Sequence, residues 1–366
     1  MLKSLKTNLP YWLLMFSLLC LSGNPLFSYE SKTTAQAFGI ILLIAIIKKG
    51  DRVFHNMQYL LPYLIIFILQ ATIIPSFSMT STGYVVMKLV IGVCYACIIG
   101  ERFVGDYIKV MWILAILSLI GFTLTLTIGI LPGIPCSKEC VSQVVYTQIF
   151  SQEMLERNCG MFWEPGAFAG YLCLSLLLCI YTNQVKMRTI TPLLIALLTT
   201  YSTTGYLVLF VLVLYYLNTS NVNNKIIRYI LIAISIVGIL YSYYNLEFLG
   251  AKINSDDEMA NSRISNYTTF SEVISQNIII GASFTDAIGG TGNGFLSFLL
   301  DYGIIGFLYY FIILFRKSRS LLTIKESRIY IIILAIILQG ECFLNYPLFM
   351  ALPCVLYAYK PQMSQA

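Results

Sequence analysis

Residues 107–130 read YIKVMWILAILSLIGFTLTLTIGI and carry no charged side chain after Lys109. An α-helix rises about 1.5 Å per residue, so this stretch would extend roughly 36 Å, more than the ~30 Å hydrocarbon core of a bilayer. The stretch therefore predicts a membrane-spanning helix, and similar apolar runs recur along most of the chain.

The composition of the whole chain agrees with a membrane protein. Of its 366 residues, 58% are hydrophobic and 11% are charged. Soluble domains carry about 45–50% apolar and about 25% charged residues. This difference excludes an ordinary soluble protein. The net charge of +6 therefore matters through its distribution along the chain, and it does not indicate a nucleic-acid partner.

The apolar runs predict an all-α fold: one polytopic integral membrane domain over residues 1–366 with about twelve transmembrane helices. Residues 190–218 allow two short crossings divided by a polar break, or one long tilted helix. Basic residues at both ends of that region favour two crossings. The predicted helices lie near 9–27, 34–47, 57–75, 83–99, 107–130, 161–181, 190–202, 204–218, 226–245, 294–315, 329–344 and 346–359.

The loops predict the orientation of these helices. One face collects 17 of the 23 basic residues, and cytoplasmic loops are enriched in Lys and Arg. We therefore expect a bacterial inner-membrane protein, with several passes and with both termini in the cytoplasm. The basic residues of this face are Lys3, Lys6, Lys48, Lys49, Arg52, Arg102, Lys109, Lys186, Arg188, Lys225, Arg228, Arg316, Lys317, Arg319, Lys325, Arg328 and Lys360.

Two long segments fall on the opposite, periplasmic face, at about 131–160 and 246–293. Long loops in compact proteins are usually functional or disordered, and the composition of these two is not typical of disorder. Apolar residues in 266–280 recur at helical spacing, which predicts an amphipathic helix on the membrane surface. Residues 141–155 show a weaker version of that pattern.

Three cysteines lie in the first periplasmic segment: Cys136, Cys140 and Cys159. An oxidising compartment allows a disulfide there. Because one of the three must stay unpaired, the sequence leaves open whether a bond forms and which two residues form it.

Four ionisable residues fall inside predicted helices: Lys88, Glu164, Asp301 and Glu341. Each is within roughly 10 Å of the periplasmic end of its helix, at 1.5 Å per residue. Charges within a membrane are costly and often functional, so their common depth predicts a water-accessible cavity open to the periplasm. Snorkelling near helix ends is the alternative for any one of them, and Asp301 can equally act as a base or pair with Lys88.

Two arginines, Arg157 and Arg263, precede predicted helices in the periplasmic segments. Helix N-termini attract anions, and arginine offers a planar fork suited to phosphate. Together they predict a site for a pyrophosphate or two phosphates. Contact with lipid headgroups is the alternative interpretation.

Residues 157–171, RNCGMFWEPGAFAGY, resemble the Arg, Gly, aromatic and Glu-Pro stretch of the bacterial O-antigen polymerases (Wzy type). A second segment is similar to the large-loop arginine and the later Asn-aromatic helix of the polymerase and ligase superfamily. It runs from Arg263 through Gly281 and GNGFL at 292–296 to DYGIIG at 301–306. The two segments cover about a quarter of the chain.

The resemblance implies transfer of a growing glycan from undecaprenyl pyrophosphate onto a new lipid-linked repeat unit, with no metal or nucleotide. Arg157 and Arg263 match the family's arginines, which would bind the pyrophosphate and stabilise its departure. Glu164 is the first candidate for the base. The substrate-binding candidates are Lys88, Asn293, Asp301 and Glu341. Membrane lipids and a chain-length regulator are the other expected partners.

The resemblance has one departure. Superfamily ligases typically carry a histidine before this asparagine, where the present chain has Gly292, and this counts against an O-antigen ligase. The alternative from another class is a lipid-linked oligosaccharide flippase. A flippase needs charges in both leaflets, whereas the four intramembrane charges here share the periplasmic half.

Overall fold

The computed structural model of the protein describes residues 11–28, 31–75, 77–137, 140–150, 155–182, 184–219, 233, 277–282, 293–319 and 322–358. This part of the chain is mostly helical. By length and composition, two stretches are long and apolar enough to cross a membrane, Met79–Ile128 and Gly294–Ser318. Several further apolar helices are shorter.

The helices follow the chain in two groups. The first is α1 (Tyr11–Gly23), α2 (Pro25–Ser28), α3 (Ser31–Met57), α4 (Leu61–Ile73), α5 (Met79–Ile99) and α6 (Phe103–Ile128), with 3-10 turns at Gln58–Leu60 and Gly100–Arg102. The second is α7 (Pro165–Tyr181), α8 (Met187–Leu198), α9 (Thr203–Thr219), α10 (Gly294–Ser318), α11 (Ile324–Gly340) and α12 (Pro347–Ala358), with a 3-10 turn at Phe343–Asn345.

Most predicted spans have a helical counterpart, displaced by a few residues at their ends. The pair predicted over 190–218 is confirmed as two helices, α8 and α9. Helix α3 continues ten residues past its predicted end and kinks at Lys49, because hydropathy marks where apolar sequence stops and not where the backbone stops being helical. The predicted helix 226–245 lies outside the described residues, and the number of transmembrane helices stays a prediction.

The prediction of an all-α fold is wrong between α6 and α7. Three short antiparallel strands form a sheet in the order β1 (Ile134–Ser137), β2 (Cys140–Ser142) and β3 (Thr147–Ile149). The helical pattern expected over 141–155 is therefore also wrong for its described residues 141–150. This stretch is rich in Val, Thr and Ile, whose branched side chains favour strands, and Val141 pairs with Gln148 across the sheet.

The sheet is attached to the end of α6 and to the segment before α7. Gln148 donates to the Thr125 hydroxyl at 2.8 Å, and the Tyr146 ring lies directly on Gly121, where a Cβ would have no room. The Thr147 amide donates to the Gly160 carbonyl at 2.6 Å. The sheet thereby fixes the backbone leading into α7.

The cysteine question left open by the sequence is resolved within this sheet. Cys136 and Cys140 form a disulfide across the β1–β2 turn, with their Cα atoms 5.3 Å apart. Cys159 is a free, buried thiol. Burial, which outweighs the opposing effect of the nearby Arg157 charge, raises the pKa of Cys159 to about 12.

Helix α7 is the centre of the bundle. Nearly every residue from Pro165 to Cys179 is buried, which is the pattern of a helix that is apolar on all sides and enclosed by others. It packs against α6, α8, α9 and α11. The N-terminal end of α7 is therefore held on several sides.

Helix α10 is broken at Gly303, whose backbone has φ +65° and ψ −177°. Glycine adopts this conformation without a steric penalty. The freed backbone groups are bonded by residues 277–282: Ala282 N–H donates to the Leu300 carbonyl at 2.6 Å, and Ile304 N–H donates to the Ile278 carbonyl at 2.9 Å. Broken helices at membrane depth are tolerated where neighbouring segments satisfy their backbone in this way.

Candidate functional site

The short linker between α11 and α12, residues 341–346, contacts residues of α5, α7 and α10. Glu341 begins the linker and lies against the first turn of α7. An added Cβ at Gly166 would be 2.6 Å from Glu341 Oε1. Backbone N–H groups at a helix N-terminus favour a negative charge beside them, so this position suits a carboxylate.

A second series of contacts runs from α5 to the N-terminus of α7. The Lys88 ammonium lies over the Tyr346 ring, 4.9 Å from its centroid. Tyr346 stacks on Trp163 with the ring centroids 4.7 Å apart. Trp163 Nε1 in turn donates to Glu164 Oε1 at 3.2 Å. The rings of Tyr346 and Trp163 therefore lie between the Lys88 ammonium and the Glu164 carboxylate, and each ring contacts one of these charged groups.

Glu164 is the N-cap residue of α7, and its side chain makes no capping bond to the helix backbone. Its backbone is extended, and Pro165 follows at the first helical position, where proline is favoured. The carboxylate is thus directed to Trp163 rather than folded back onto α7.

Asp301 lies two residues before the break in α10 and is held from two sides. Asn345 Nδ2 donates to Asp301 Oδ2 at 2.9 Å. Gln70 Nε2, on α4, donates to the backbone carbonyls of Asp301 at 2.7 Å and Ile280 at 2.6 Å. The predicted pairing of Asp301 with Lys88 is wrong among the described residues, because Asn345 takes the carboxylate while Tyr346 takes the ammonium.

Glu341 precedes Cys342, whose thiol donates to Ser297 Oγ at 3.1 Å, one helical turn before Asp301 on α10. The linker thus contains Glu341, bonds Asp301 through Asn345, and contacts Lys88 through Tyr346. It reaches Glu164 through the stack of Tyr346 on Trp163. The part of these ionisable residues in substrate binding or catalysis stays a prediction.

Arg157 is placed differently from expectation. Helix α7 begins at Pro165, so Arg157 does not immediately precede it. Its guanidinium donates from Nε to the Thr200 carbonyl at 3.1 Å and from Nη2 to the Tyr201 carbonyl at 3.3 Å. These carbonyls belong to the turn after α8, the negative end of that helix. The expected position ahead of a helix N-terminus is wrong.

Asn158, the next residue, also bonds the turn after α8. Asn158 is buried and bonds Thr199 through both backbone and side chain, at 2.9 Å in each case. Tyr201 has φ +48°, a conformation rarely adopted by a residue with a side chain. Arg157 and Asn158 together hold this strained turn. Arg263 lies outside the described residues.

Asn293 caps α10. Its side-chain oxygen accepts from the backbone N–H groups of Phe295 at 3.0 Å and Leu296 at 3.3 Å. Asparagine is among the preferred residues at this position. The observed role of Asn293 is therefore to cap α10. Its expected role in substrate binding stays a prediction.

Sequence reasoning missed four residues of this arrangement: Gln70, Trp163, Asn345 and Tyr346. A signal existed for the two amides, since each is an isolated polar side chain within or beside an apolar run. Trp163 lies in the segment that carried the resemblance but was given no role of its own. Tyr346 gave no signal, because aromatic residues are common throughout this chain.

The described helices enclose a polar cluster of one cation and three carboxylates, and this arrangement is typical of membrane proteins that act on polar substrates. A family model for the WcaD colanic acid polymerase matches residues 51–257, which is more than half of the chain. The chain therefore belongs to this family of Wzy-type O-antigen and capsule polymerases. The resemblance expected from the sequence is thereby confirmed. No curated protein and no solved structure matches the chain.

The matched range includes Lys88, Arg157 and Glu164. Arg263, Asn293, Asp301 and Glu341 follow it in the chain. The family assignment therefore rests on the half of the protein that contains the RNCGMFWEP segment, and the structure connects this half to the later residues through the 341–346 linker.

Proposed function

We propose that this protein joins undecaprenyl-pyrophosphate-linked oligosaccharide repeat units into a polymer at the periplasmic face of the inner membrane. The observation that carries the proposal is the meeting of Lys88, Glu164, Asp301 and Glu341 around one linker, in a chain of the WcaD colanic acid polymerase family. Clustered ionisable groups within a helical bundle mark substrate sites.

In the proposed reaction, an acceptor hydroxyl oxygen attacks the anomeric carbon of the donor sugar. The bond from that carbon to the pyrophosphate oxygen breaks, and the electron pair leaves with undecaprenyl pyrophosphate. The hydroxyl proton passes to a carboxylate, for which Glu164 is the candidate because Trp163 fixes one of its oxygens. No metal or nucleotide takes part.

Positive charge at the leaving group would lower the barrier to its departure. Arg157 and Arg263 are the proposed partners of the pyrophosphate. The two carbonyl bonds of Arg157 hold its guanidinium plane in one orientation, and a fixed orientation is useful for binding phosphate. Lys88 is a further cation within the cluster.

The disulfide in the β1–β2 turn supports a periplasmic location for this sheet, because disulfides persist in oxidising compartments. The same side of the membrane is expected from the distribution of Lys and Arg. Both observations support chemistry at the periplasmic face.

The proposal is tested by a glycan gel from cells that lack this gene. We expect single repeat units with no ladder of longer products, and restoration of the ladder by the wild-type gene. A ladder of normal length in the deletion strain contradicts the proposed function. Bare acceptor with periplasmic lipid-linked polymer would instead indicate a ligase, and single lipid-linked units held on the cytoplasmic side would indicate a flippase.

A further inference from the structure

Asn345 uses the NH2 end of its side-chain amide and leaves the oxygen end without a partner among the described residues. Its Nδ2 donates to Asp301 Oδ2 at 2.9 Å. Because only the NH2 end of the amide can donate, this bond fixes the orientation of the group. Asn345 Oδ1 is then left buried with no hydrogen-bond partner in the part of the chain that the structure describes.

A buried acceptor without a donor is unusual, since most buried polar atoms in native proteins are bonded. Gln70, on the other side of Asp301, shows the same feature. Both of its described bonds come from Nε2, and its Oε1 is buried with no hydrogen-bond partner among the described residues. The two residues that bond Asp301, Asn345 at its carboxylate and Gln70 at its backbone carbonyl, therefore each carry an unsatisfied amide oxygen.

The charged side chains near Asn345 Oδ1 indicate which kind of ligand would donate a hydrogen bond to it. A ligand anion is disfavoured next to Asp301, Glu341 and Glu164. A metal ion is also disfavoured, because the described acidic, histidine and cysteine side chains form no group of three or more that could hold one. A neutral hydroxyl group remains, since it donates a hydrogen bond to an amide oxygen or a carboxylate.

The other side of the cluster is aromatic. Tyr346 follows Asn345 directly in the chain, and its ring stacks on Trp163. A sugar ring presents both hydroxyl groups and apolar C–H groups. Amide and carboxylate oxygens beside an aromatic stack suit these two kinds of surface.

We propose that Asn345 Oδ1 and Asp301 bind a ring hydroxyl of the acceptor sugar, beside the stack of Trp163 and Tyr346. This inference rests on the proposed polymerase function and identifies its acceptor subsite. Asn345 serves two purposes there: its Nδ2 orients the Asp301 carboxylate, and its Oδ1 accepts a hydrogen bond from the sugar hydroxyl.

The test measures binding of the repeat-unit oligosaccharide, released by mild acid from the lipid-linked unit of cells lacking the gene. The full-length protein is placed in lipid nanodiscs, because maltoside detergents would themselves offer sugar. We compare wild type with Asn345→Ala and with the control Asn56→Ala, whose amide bonds the Arg52 carbonyl and Cys97. Asn345→Ala should weaken binding about tenfold, the loss expected for one buried hydrogen bond, and Asn56→Ala should not.

Unchanged binding by a folded Asn345→Ala protein overturns the subsite while leaving the polymerase proposal standing. The polymerase proposal is tested separately, and a normal ladder in the deletion strain would contradict it. If Asn345→Ala does not fold, the Asn345→Ser variant is used instead. The serine hydroxyl can still donate a hydrogen bond to Asp301, whereas the amide oxygen is gone.

A measurement on the wild-type protein needs no variant. Cys342 is half-buried beside the carboxylates of the cluster. Bound oligosaccharide should slow its alkylation several-fold, as measured by mass spectrometry of the Cys342 peptide. An unchanged alkylation rate at saturating oligosaccharide contradicts the subsite.

Discussion

The ammonium of Lys88 lies over the ring of Tyr346, 4.9 Å from its centroid. This contact joins α5 to the 341–346 linker. Tyr346 also stacks on Trp163, which bonds Glu164. A cation on an aromatic face contributes about 0.5–2 kcal/mol, with the larger values in desolvated surroundings.

We expect Lys88→Met to lower polymer formation at least tenfold, because the cluster loses its cation as well as the contact with Tyr346. Tyr346→Leu should lower it as well, whereas Tyr346→Phe keeps the aromatic face and most of the activity. The measurement is the ladder on a glycan gel at matched protein expression. Equal ladders in Tyr346→Leu and wild type would mean that the ring does not support the site.

Gln70 is expected to support the broken helix α10. Gln70→Leu leaves the carbonyls of Ile280 and Asp301 without their donor, and each buried unsatisfied group costs about 1–3 kcal/mol. Thermal unfolding in nanodiscs should show a Tm lowered by several degrees. The matched control is the exposed Gln58, for which Gln58→Leu should change Tm little. Equal Tm values for both variants would show that the Gln70 bonds contribute nothing.

Arg157 is expected to affect both activity and stability. Arg157→Ala removes the donors to the Thr200 and Tyr201 carbonyls, so it should lower Tm and abolish the ladder. Tyr201→Gly relieves the positive φ at that turn and should offset part of the Tm loss when combined with Arg157→Ala. If it restores the ladder too, Arg157 acts only by holding the turn and does not bind pyrophosphate.

Arg263, which lies outside the described residues, is the second arginine proposed to bind the pyrophosphate and is compared with Arg157. Arg263→Ala should abolish polymer while protein expression stays normal, and Arg263→Lys should also be poor because lysine lacks the bidentate fork. Full activity of the alanine variant would exclude a role for this residue at the leaving pyrophosphate. Labelling of a cysteine at position 263 from the periplasm checks the predicted orientation.

The cysteines of the sheet give a prediction about pH. The reactive form of cysteine is the thiolate, and with a pKa raised to about 12 Cys159 carries almost none of it at pH 7 to 9. Maleimide should therefore fail to label Cys159 in the folded protein, and labelling should rise only well above pH 9 or after unfolding. Cys136 and Cys140 should label only after reduction. Mass spectrometry of the labelled peptides checks both, and rapid labelling of Cys159 at pH 7 would show that it is not buried.

The helices could be predicted from the sequence, because a helix surrounded by lipid needs a long run of apolar side chains. The sheet at 134–149 could not, because short strands of mixed polarity carry a weak signal. The sequence also predicted that Lys88, Glu164, Asp301 and Glu341 belong to one site. It did not predict their partners, because the contact of Tyr346 with Trp163 joins residues 183 positions apart.

Arg157 shows a different limit of sequence reasoning. Its place near the start of a helix predicted a role at that helix, whereas its guanidinium reaches the end of another one, at Thr200. A long flexible side chain can choose among several partners, and the nearest element in sequence need not be the one it binds.

The most direct test of the central claim uses purified protein in proteoliposomes that contain the lipid-linked repeat unit and no other enzyme. The account predicts a ladder of lengthening glycans, release of undecaprenyl pyrophosphate in step with each added unit, and loss of both with Glu164→Gln. Unchanged single units in the presence of folded wild-type protein would contradict it.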